Sequence, residues 1–591
     1  MSMFEQRLFH AKYKSWYRRS HRLMEQFQLS RRNLKSVHLR CCTPGCSAFR
    51  FRHTFESELM VHQLRQMSLV LTMTFVFGMK CCPILSAADY ILTIGGGYNP
   101  TGNQASLEAN VVFFQQVLGE KHRGGPQHDI FFADGNDPVA DLQVLATKAR
   151  QDPVIELLEA LHRRRGEAQL EYRNHRVPDI AGGLDPALVH ARLLAIAKKA
   201  KTGDRVIVYV TAHGSEGSKP DPFNTTIDCW NEKRITAREF TRWLSELPPA
   251  VPVVMVMAQC YCGGFGHTIF QELDEKKGMA SQLRAGFFAQ QHDLPAAGCR
   301  PDIHNDDEFS SYFWGAIVGR SRTGVPVMGC DINSDGVISF AEAYAYAVVA
   351  GNTIDIPLRT SDVLLRTYSR LSLADVKKPA DPAESDSPPD KKSEPEVKPA
   401  ATEDRPVTKP PVLAGSLQSF IDQGRPVSGR MVTGLSKSLG LSLQHDASTV
   451  ISAYESHRRS GRRPGTSGRR RPGSGRKELL MEIGDKWPEL ADPKRWEESP
   501  LLKPDKREQL LADIKELPAW KGYDQRRKQS AESEKKAEEH ELREVRFRRL
   551  ISTLEVIQLE KHLPKVATAE IVERYRQLIQ LEESSFNSVA P

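Results

Sequence analysis

Short apolar runs separated by helical segments recur between residues 89 and 350, and they constrain the fold of this chain more than any other feature. Runs such as RVIVYVTA and PVVMVMA show almost no alternation of polar and apolar residues. A strand that is apolar on both faces must be covered on both, as in parallel sheets with helical crossovers. We therefore predict an α/β fold, a mostly parallel sheet with helices on both faces. The predicted strands are Tyr90–Ile94, Asp129–Ala133, Arg205–Ala212, Pro252–Ala258 and Arg284–Gln290.

Helical signals fill the segments between these strands. The pair Asp185-Pro186 is a helix start, because aspartate suits the N-cap and proline suits the first helical position. That helix should run to about Ala200. The other predicted helices are Leu107–Leu118, Val154–Arg163, Ile235–Leu247 and Phe309–Val318.

The second half of the chain is more polar. Residues 376–413 contain nine prolines among charged residues, which predicts a disordered linker. Residues 414–477 are predicted to be a polar region that includes an Arg/Gly-rich low-complexity segment at 458–477. Residues 478–591 combine helical periodicity with opposite charges at short spacing, which predicts an exposed helical hairpin or coiled-coil tail able to bind a helical partner.

The N-terminal region suggests export. Residues 1–66 form a basic extension, and residues 67–88 contain an apolar run, Met67–Met79, before the small residues Ser86-Ala87-Ala88. The run is short for a membrane span, which favours a signal peptide and a secreted or periplasmic protein. Membrane contact is then expected only through an uncleaved signal segment. We expect translation to begin at Met60; the alternative is a buried apolar helix in a cytosolic protein.

Two predicted strands end in residues that carry thiol chemistry. Arg205–Ala212 is followed by the pair His-Gly, and Pro252–Ala258 by the run QCYCGG. Because the carboxyl ends of parallel strands share one edge of the sheet, we expect His213 and Cys260 to meet there. A neighbouring base turns a thiol into a nucleophile, and backbone N–H groups near glycines such as Gly214 can hold an oxyanion.

These segments resemble the caspase-like clan of cysteine peptidases, most closely its legumain-like and metacaspase-like members. The resemblance rests on IGGGYNPTGNQASLEANVVFF, VIVYVTAHG and VVMVMAQCYCGG, and it covers a domain of residues 89–365. It implies that His213 is the catalytic base and Cys260 the nucleophile. It also implies that the backbone N–H groups of Gly214 and Cys260 form the oxyanion hole.

Two features depart from the clan's pattern or match it loosely. Legumains use an asparagine after the first strand to orient the histidine, and Asn103 or Asn99 could take that place. Gln259 replaces the usual acidic residue, and Cys262 replaces the usual serine and could compete as nucleophile, bind metal or be oxidised.

The substrate pocket is predicted between two loops, residues 98–106 and 291–299. The polar groups in or near these loops would suit a basic or amide side chain before the cleaved bond. They are Asn103, Glu108, His292 and Asp293.

The run DINSDGVISFAE at residues 331–342 has the spacing of an EF-hand calcium loop. Oxygen ligands at alternating positions suit this hard cation, and the central glycine allows the sharp turn. Residues 324–330 contain a proline and predict no preceding helix, whereas a following helix is expected at Ala341–Val349. The predicted ligands are Asp331, Asn333, Asp335, the carbonyl of Val337, Ser339 and Glu342.

The combined prediction is a calcium-binding cysteine endopeptidase that acts on protein or peptide substrates. The main alternative is a catalytically inactive calcium-binding interaction module with the same fold. A nucleotide-dependent hydrolase is a third reading, but Gly95–Gly97 lacks the spacing of a dinucleotide-binding loop. No nucleic acid is expected as a partner, because no aromatic residues interleave with the Arg-rich segment.

Overall fold

The structure is a computed structural model that describes residues 88–145, 153–162, 170–302, 306–369, 413–461, 474–496 and 499–586. Contacts between Cα atoms place the described residues in one compact unit. Its strands are β1 (Asp89–Gly96), β2 (Gln127–Phe132), β3 (Leu142–Leu145), β4 (Leu170–Arg173), β5 (Arg205–Ala212), β6 (Thr226–Asp228), β7 (Arg234–Thr236), β8 (Val253–Met257), β9 (Arg284–Phe288) and β10 (Leu358–Arg359).

The main sheet has six strands in the order β10-β9-β8-β5-β1-β2. The five long strands are parallel, and only β10 is antiparallel to its neighbour. All eight residues of β5 and all five of β8 are buried, so both faces of the sheet centre are covered. The predicted α/β class and the predicted strands are confirmed.

Helices cover this sheet and continue through the C-terminal region. On one face, Phe114 packs against Tyr209 and Trp314, with ring centroids 4.8 and 4.4 Å apart. The helices are α1 (Ala105–Lys121), α2 (Pro153–His162), α3 (Pro186–Ala197), α4 (Ala237–Leu244), α5 (Phe309–Val318), α6 (Phe340–Ala350), α7 (Thr360–Tyr368), α8 (Leu417–Gln423), α9 (Pro426–Leu439), α10 (Ala447–Gly461), α11 (Ser474–Lys486), α12 (Pro504–Lys515), α13 (Trp520–Val566) and α14 (Ala569–Glu582).

The predicted helix boundaries differ slightly from those observed. Asp185 caps α3 by accepting a hydrogen bond from Ala187 N, as predicted, but the helix ends at Ala197 rather than near Ala200. The helix expected from Ile235 begins at Ala237, because the preceding residues pair in β7, antiparallel to β6.

The C-terminal region was expected to be an exposed tail, and this is wrong for its second half. In α13 the residues from Val545 onward carry a buried apolar stripe, and α14 packs against α7 and β9. Glu582 of α14 is fully buried and accepts hydrogen bonds from both N and Oγ of Ser361. The stripe is buried because it completes the core of the α/β unit rather than pairing with a second tail helix.

Much of residues 414–477, which were predicted to be a polar region, folds into helices α8, α9 and α10. Val432 and Leu435 of α9 are fully buried in the main core. A separate smaller core forms among α2, α11, α12 and the start of α13, around Leu158, Leu479 and Ile514. Charged residues dominate the composition of these segments, yet enough apolar residues fall on one face to bury a core.

Several predictions lie outside the described residues: the basic extension 1–66, the signal segment as far as residue 87, nearly all of the linker 376–413, and residues 462–473 of the Arg-rich segment. Within the described residues, no helix has the length and apolar content that a membrane span requires.

Candidate active site

The sheet brings His213 and Cys260 to the same edge. Val210 of β5 pairs with Met257 of β8 in parallel register, and each of the two candidate residues lies three positions beyond its paired residue. Ala258 N donates to Val210 O at 2.9 Å, which extends the pairing towards both. The expectation that the two strand ends are neighbours is confirmed.

The His213 ring is held by the loop after β1. Its Nε2 lies 2.8 Å from Gly102 O and 2.9 Å from the Gln104 Oε1 atom. A carbonyl oxygen only accepts, so Nε2 carries the proton and Nδ1 is left as the basic atom. The ring of Tyr98 packs edge-on against the imidazole, with centroids 5.2 Å apart. The loop therefore fixes both the tautomer and the plane of the histidine.

Asn103 was expected to orient the histidine, but its side chain bonds the neighbouring loop backbone and Asp141 instead of the imidazole. Its Oδ1 accepts from Gly97 N at 3.0 Å, and its Nδ2 donates to the backbone oxygen and the carboxylate of Asp141, both at 3.1 Å. The side chain is fully buried, and in sequence Asn103 stands between Gly102 and Gln104, whose oxygens contact His213. Asn99, the alternative, caps the same loop by accepting from Gly102 N. Both asparagines fix the loop, while its backbone and Gln104 contact the imidazole.

A cluster that the sequence did not predict supports this loop from behind. Asp134, Asp141 and His175 each place a potential ligand atom within 4.8 Å of the others. Burial, followed by the charge of Asp141, raises the pKa of Asp134 to about 7. The oxygens of Asp141 accept from Asn103 Nδ2 and from His175 N. The cluster therefore anchors Asn103. His175 is 34 residues from Asp141 in sequence, so no local pattern reveals the cluster.

Cys260 is partly exposed, and its sulfur lies against residues 294–297. Ala296 N donates to Cys260 Sγ at 3.3 Å, and the thiol lies 3.7 Å from Ala296 O. The next residue, Tyr261, has a left-handed φ of 60° and donates its N–H to Leu294 O. The chain therefore turns sharply after the cysteine and presents its thiol at the surface of the sheet edge.

Burial shifts the pKa values of both groups towards their neutral forms. It lowers the pKa of His213, although the hydrogen bond to Gly102 acts in the opposite direction. It raises the pKa of the Cys260 thiol, and the charges of Asp355 and Asp228 add to that rise. The pair is therefore a neutral thiol and a neutral imidazole near pH 7, which suits proton transfer during attack.

The backbone of Gly214 packs closely against that of Cys260. An added Cβ at Gly214 would lie 2.4 Å from Cys260 O and 2.7 Å from Thr226 O, so only glycine fits there. In the described part of the chain, neither Gly214 N nor Cys260 N donates to a backbone oxygen. A pair of such N–H donors is what a tetrahedral oxyanion requires.

Cys262 does not share the exposure of Cys260. It is fully buried, its sulfur accepts from Gln290 N at 3.3 Å, and burial raises the pKa of its thiol far above the ordinary value. It therefore packs and hydrogen-bonds inside the site rather than competing as the nucleophile. Gln259 is also buried, and its Oε1 has no partner among the described residues.

The residues expected to line a substrate pocket divide into two groups. Glu108 is buried, and its carboxylate pairs with Arg173 and accepts from the N–H of Arg176. The carboxylate is therefore engaged within the protein and does not face a substrate side chain. His292 is partly exposed and its ring packs on Phe223 at 4.5 Å. A cavity of about 380 Å³ lies beside His213, and its lining residues carry charges of both signs. They are Tyr98, Ser215, Asp228, Glu232, Lys233 and Arg234.

The predicted calcium loop folds as its spacing requires. Gly336 has a φ of +82°, and its N–H donates to Asp331 Oδ2 at 3.0 Å. Glu342 lies in the first turn of the following helix α6 and forms a capping box with Ser339, the N-cap residue. Its Oε1 accepts from Ile332 N at 2.7 Å. No helix precedes the loop, as predicted. The carboxylates of Asp331 and Glu342 therefore lie at the two ends of one tight turn.

One oxygen in this loop is left without a partner. Asp331 Oδ1 is buried, yet no hydrogen-bond donor in the described part of the chain reaches it. A buried carboxylate oxygen normally has a partner, so the atom is suited to a cation. Asn333, Asp335, Val337, Ser339 and Glu342 line a cavity of about 590 Å³ that Arg425 and Glu583 close from the C-terminal region.

Comparison with known proteins adds no functional assignment. No family model matches this chain, and no curated protein matches it. Among solved structures, the crystal structure of protein GSU0716 from Geobacter sulfurreducens is 11% identical, with a TM-score of 0.26. The match covers 46% of this chain and 92% of that one. A likeness this weak supports no argument about the site.

Proposed function

We propose that this protein is a cysteine peptidase in which Cys260 is the nucleophile and His213 the base. The observation that carries the proposal is the register of β5 and β8, which sets both residues at equal distance beyond paired strands. The caspase-like resemblance of the same strand ends also favours it. The substrate class is protein or peptide, bound across the edge of the sheet next to the cavity beside His213.

The chain's own groups suffice for each step of peptide hydrolysis. His213 Nδ1 takes the thiol proton as Cys260 Sγ attacks the peptide carbonyl. The N–H groups of Gly214 and Cys260 bind the resulting oxyanion, and the imidazolium then protonates the departing amine. Water, deprotonated by the same imidazole, cleaves the thioester and restores the thiol.

Calcium binding is a second proposed property, and the unpartnered Asp331 Oδ1 is the observation that favours it. The loop joins the described sheet unit to its C-terminal helices, since Phe340 N donates to Ser584 O at 2.9 Å. A bound ion would therefore stabilise this junction. Export to a calcium-containing compartment, secreted or periplasmic, is the matching localisation proposal.

A fluorogenic peptide library tests the proposal. We expect wild-type protein to cleave some members and Cys260→Ala to cleave none, with Cys262→Ala as a control that keeps the nucleophile. Adding and chelating calcium in each reaction separates the two properties. Calcium binding without cleavage of any peptide would instead support a non-catalytic interaction module.

A further inference from the structure

The position of the Cys260 sulfur depends on a segment that is remote in sequence from either strand end. Leu294 O accepts from Tyr261 N at 3.0 Å, and Ala296 N donates to Cys260 Sγ at 3.3 Å. Two hydrogen bonds therefore join residues 294–297 to the nucleophile and to the residue after it. A shift of this segment would move the sulfur.

The segment is held in turn by residues 354–355. Ala297 N donates to Asp355 Oδ1 at 2.7 Å. The Gln290 side chain links the two segments, because its Nε2 donates to Pro295 O at 3.1 Å and to Ile354 O at 3.3 Å. Asp355 is fully buried, and its Oδ2 has no hydrogen-bond partner among the described residues.

A single side chain from the long C-terminal helix fixes residues 351–355. Arg549 of α13 is buried, and its guanidinium donates five hydrogen bonds in this direction. Its Nε reaches Asp355 O at 2.8 Å, and its Nη1 reaches Val348 O and Gly351 O at 3.0 and 2.7 Å. Its Nη2 reaches O and Oγ1 of Thr353 at 3.0 and 3.1 Å.

Those five bonds account for every N–H that a guanidinium possesses. Four of the five acceptors are main-chain oxygens, so the planar fork of Arg549 acts as a template for the backbone path from the end of α6 to Asp355. A lysine has three donors on a flexible stem and cannot reproduce this pattern.

We infer that Arg549 is a positioning residue for Cys260, acting through Asp355 and the segment 294–297. The inference rests on the proposed function. It makes the C-terminal helices part of the catalytic unit, because hydrogen bonds join Arg549 to Asp355 and Asp355 to Ala297, and the adjacent Ala296 bonds Cys260. Removing the guanidinium releases the segment and displaces the nucleophile.

The pH dependence of thiol alkylation separates positioning from plain stability. Burial raises the pKa of Cys260, and the charged groups that raise it further are Asp355 and Asp228. Release of the segment exposes the thiol and moves Asp355, so the midpoint of alkylation should fall towards that of an ordinary thiol. A loss of stability alone would leave that midpoint unchanged in the folded protein.

The experiment uses full-length protein and the variants Arg549→Met, Arg549→Lys and Asp355→Ala. The matched control is Arg543→Met on the same helix, since the Arg543 side chain donates to Leu439 O at 3.0 Å, outside residues 351–355. Iodoacetamide labelling of Cys260 is followed by peptide mass spectrometry across pH. Peptide cleavage gives kcat and KM, and thermal melting identifies the variants that fold.

We expect Arg549→Met and Asp355→Ala to lower kcat by about a hundredfold with little change in KM, as for a misplaced reacting atom. The alkylation midpoint should fall in Arg549→Met, Arg549→Lys should rescue little, and Arg543→Met should match wild type. The midpoint of Asp355→Ala does not test positioning, because removing the Asp355 charge itself lowers the pKa of Cys260. If Arg549→Met does not fold, Arg549→Lys decides, because lysine keeps the positive charge but offers only three donors. Folded variants with wild-type kcat and midpoint would overturn the inference. Wild-type protein that cleaves no peptide would refute the peptidase proposal, while the midpoint would still decide the positioning role.

Discussion

Gly214 lies against Cys260 so closely that a Cβ at position 214 would stand 2.4 Å from the Cys260 carbonyl oxygen. Gly214, which follows the histidine, and Cys260, the proposed nucleophile, thus share a backbone contact beyond the ends of two parallel strands. The arrangement links the buried sheet directly to the chemistry proposed for its edge.

The first prediction concerns this contact. Gly214→Ala should lower kcat/KM by about a hundredfold because a shift of about 1 Å misplaces the reacting groups. It should also reduce the free energy of unfolding by about 1–3 kcal/mol, the usual cost of overpacking. Steady-state kinetics and urea unfolding provide the measurements.

Gly119→Ala is the control for that substitution. Position 119 lies in α1, and an added Cβ there meets no atom within 4 Å. Alanine should stabilise this helix by up to about 1 kcal/mol and leave activity unchanged. Equal activity in Gly214→Ala and Gly119→Ala would contradict the predicted contact.

The second prediction is the pH dependence of kcat/KM. Only neutral His213 can accept the thiol proton, and burial lowers its pKa below the ordinary 6.5. Activity should therefore fall on acidification with a midpoint below pH 6.5, because the imidazole stays neutral further into the acid range than a free histidine. A midpoint above pH 6.5 would mean that another group, or an ion pair, controls the reaction.

The third prediction concerns calcium. At a concentration one hundred times the Kd, binding to the folded state alone adds about 2.7 kcal/mol to the free energy of unfolding. Asp331→Asn should abolish this stabilisation but leave the calcium-free protein nearly as stable, because asparagine can still accept from Gly336 N. Thermal melting with calcium and with chelator checks both statements.

The control for calcium is Glu538→Gln, which removes a carboxylate from the exposed part of α13. Its calcium response should equal that of wild type. A wild-type melting temperature that is the same with calcium and with chelator would remove the proposed site, whatever the variants do.

The sheet edge was predictable because its information is local. Apolar runs identify β5 and β8, and the residue that follows a parallel strand must lie at its carboxyl end. The tight turn at residues 331–342 was predictable for the same reason, since its acidic residues and its glycine fall within twelve consecutive residues.

The contacts that hold the edge in place were not predictable in this way. Asn103 binds Gly97 and Asp141 rather than His213, because the direction of a loop side chain depends on the chain packed behind it. From the sequence alone, Arg549 would be assigned to the exposed face of a charged helix. In the structure it is buried and donates five hydrogen bonds. Such residues are recognised only when distant segments are seen together.

A covalent probe tests the central claim most directly. The protein would be treated with a pool of peptidyl acyloxymethyl ketones, which react with catalytically competent thiols, and the modified residue located by mass spectrometry. We predict one adduct, on Cys260, that persists in Cys262→Ala and disappears in Cys260→Ala and His213→Gln. An adduct that persists in Cys260→Ala, or that moves to Cys262 in wild type, would contradict the account.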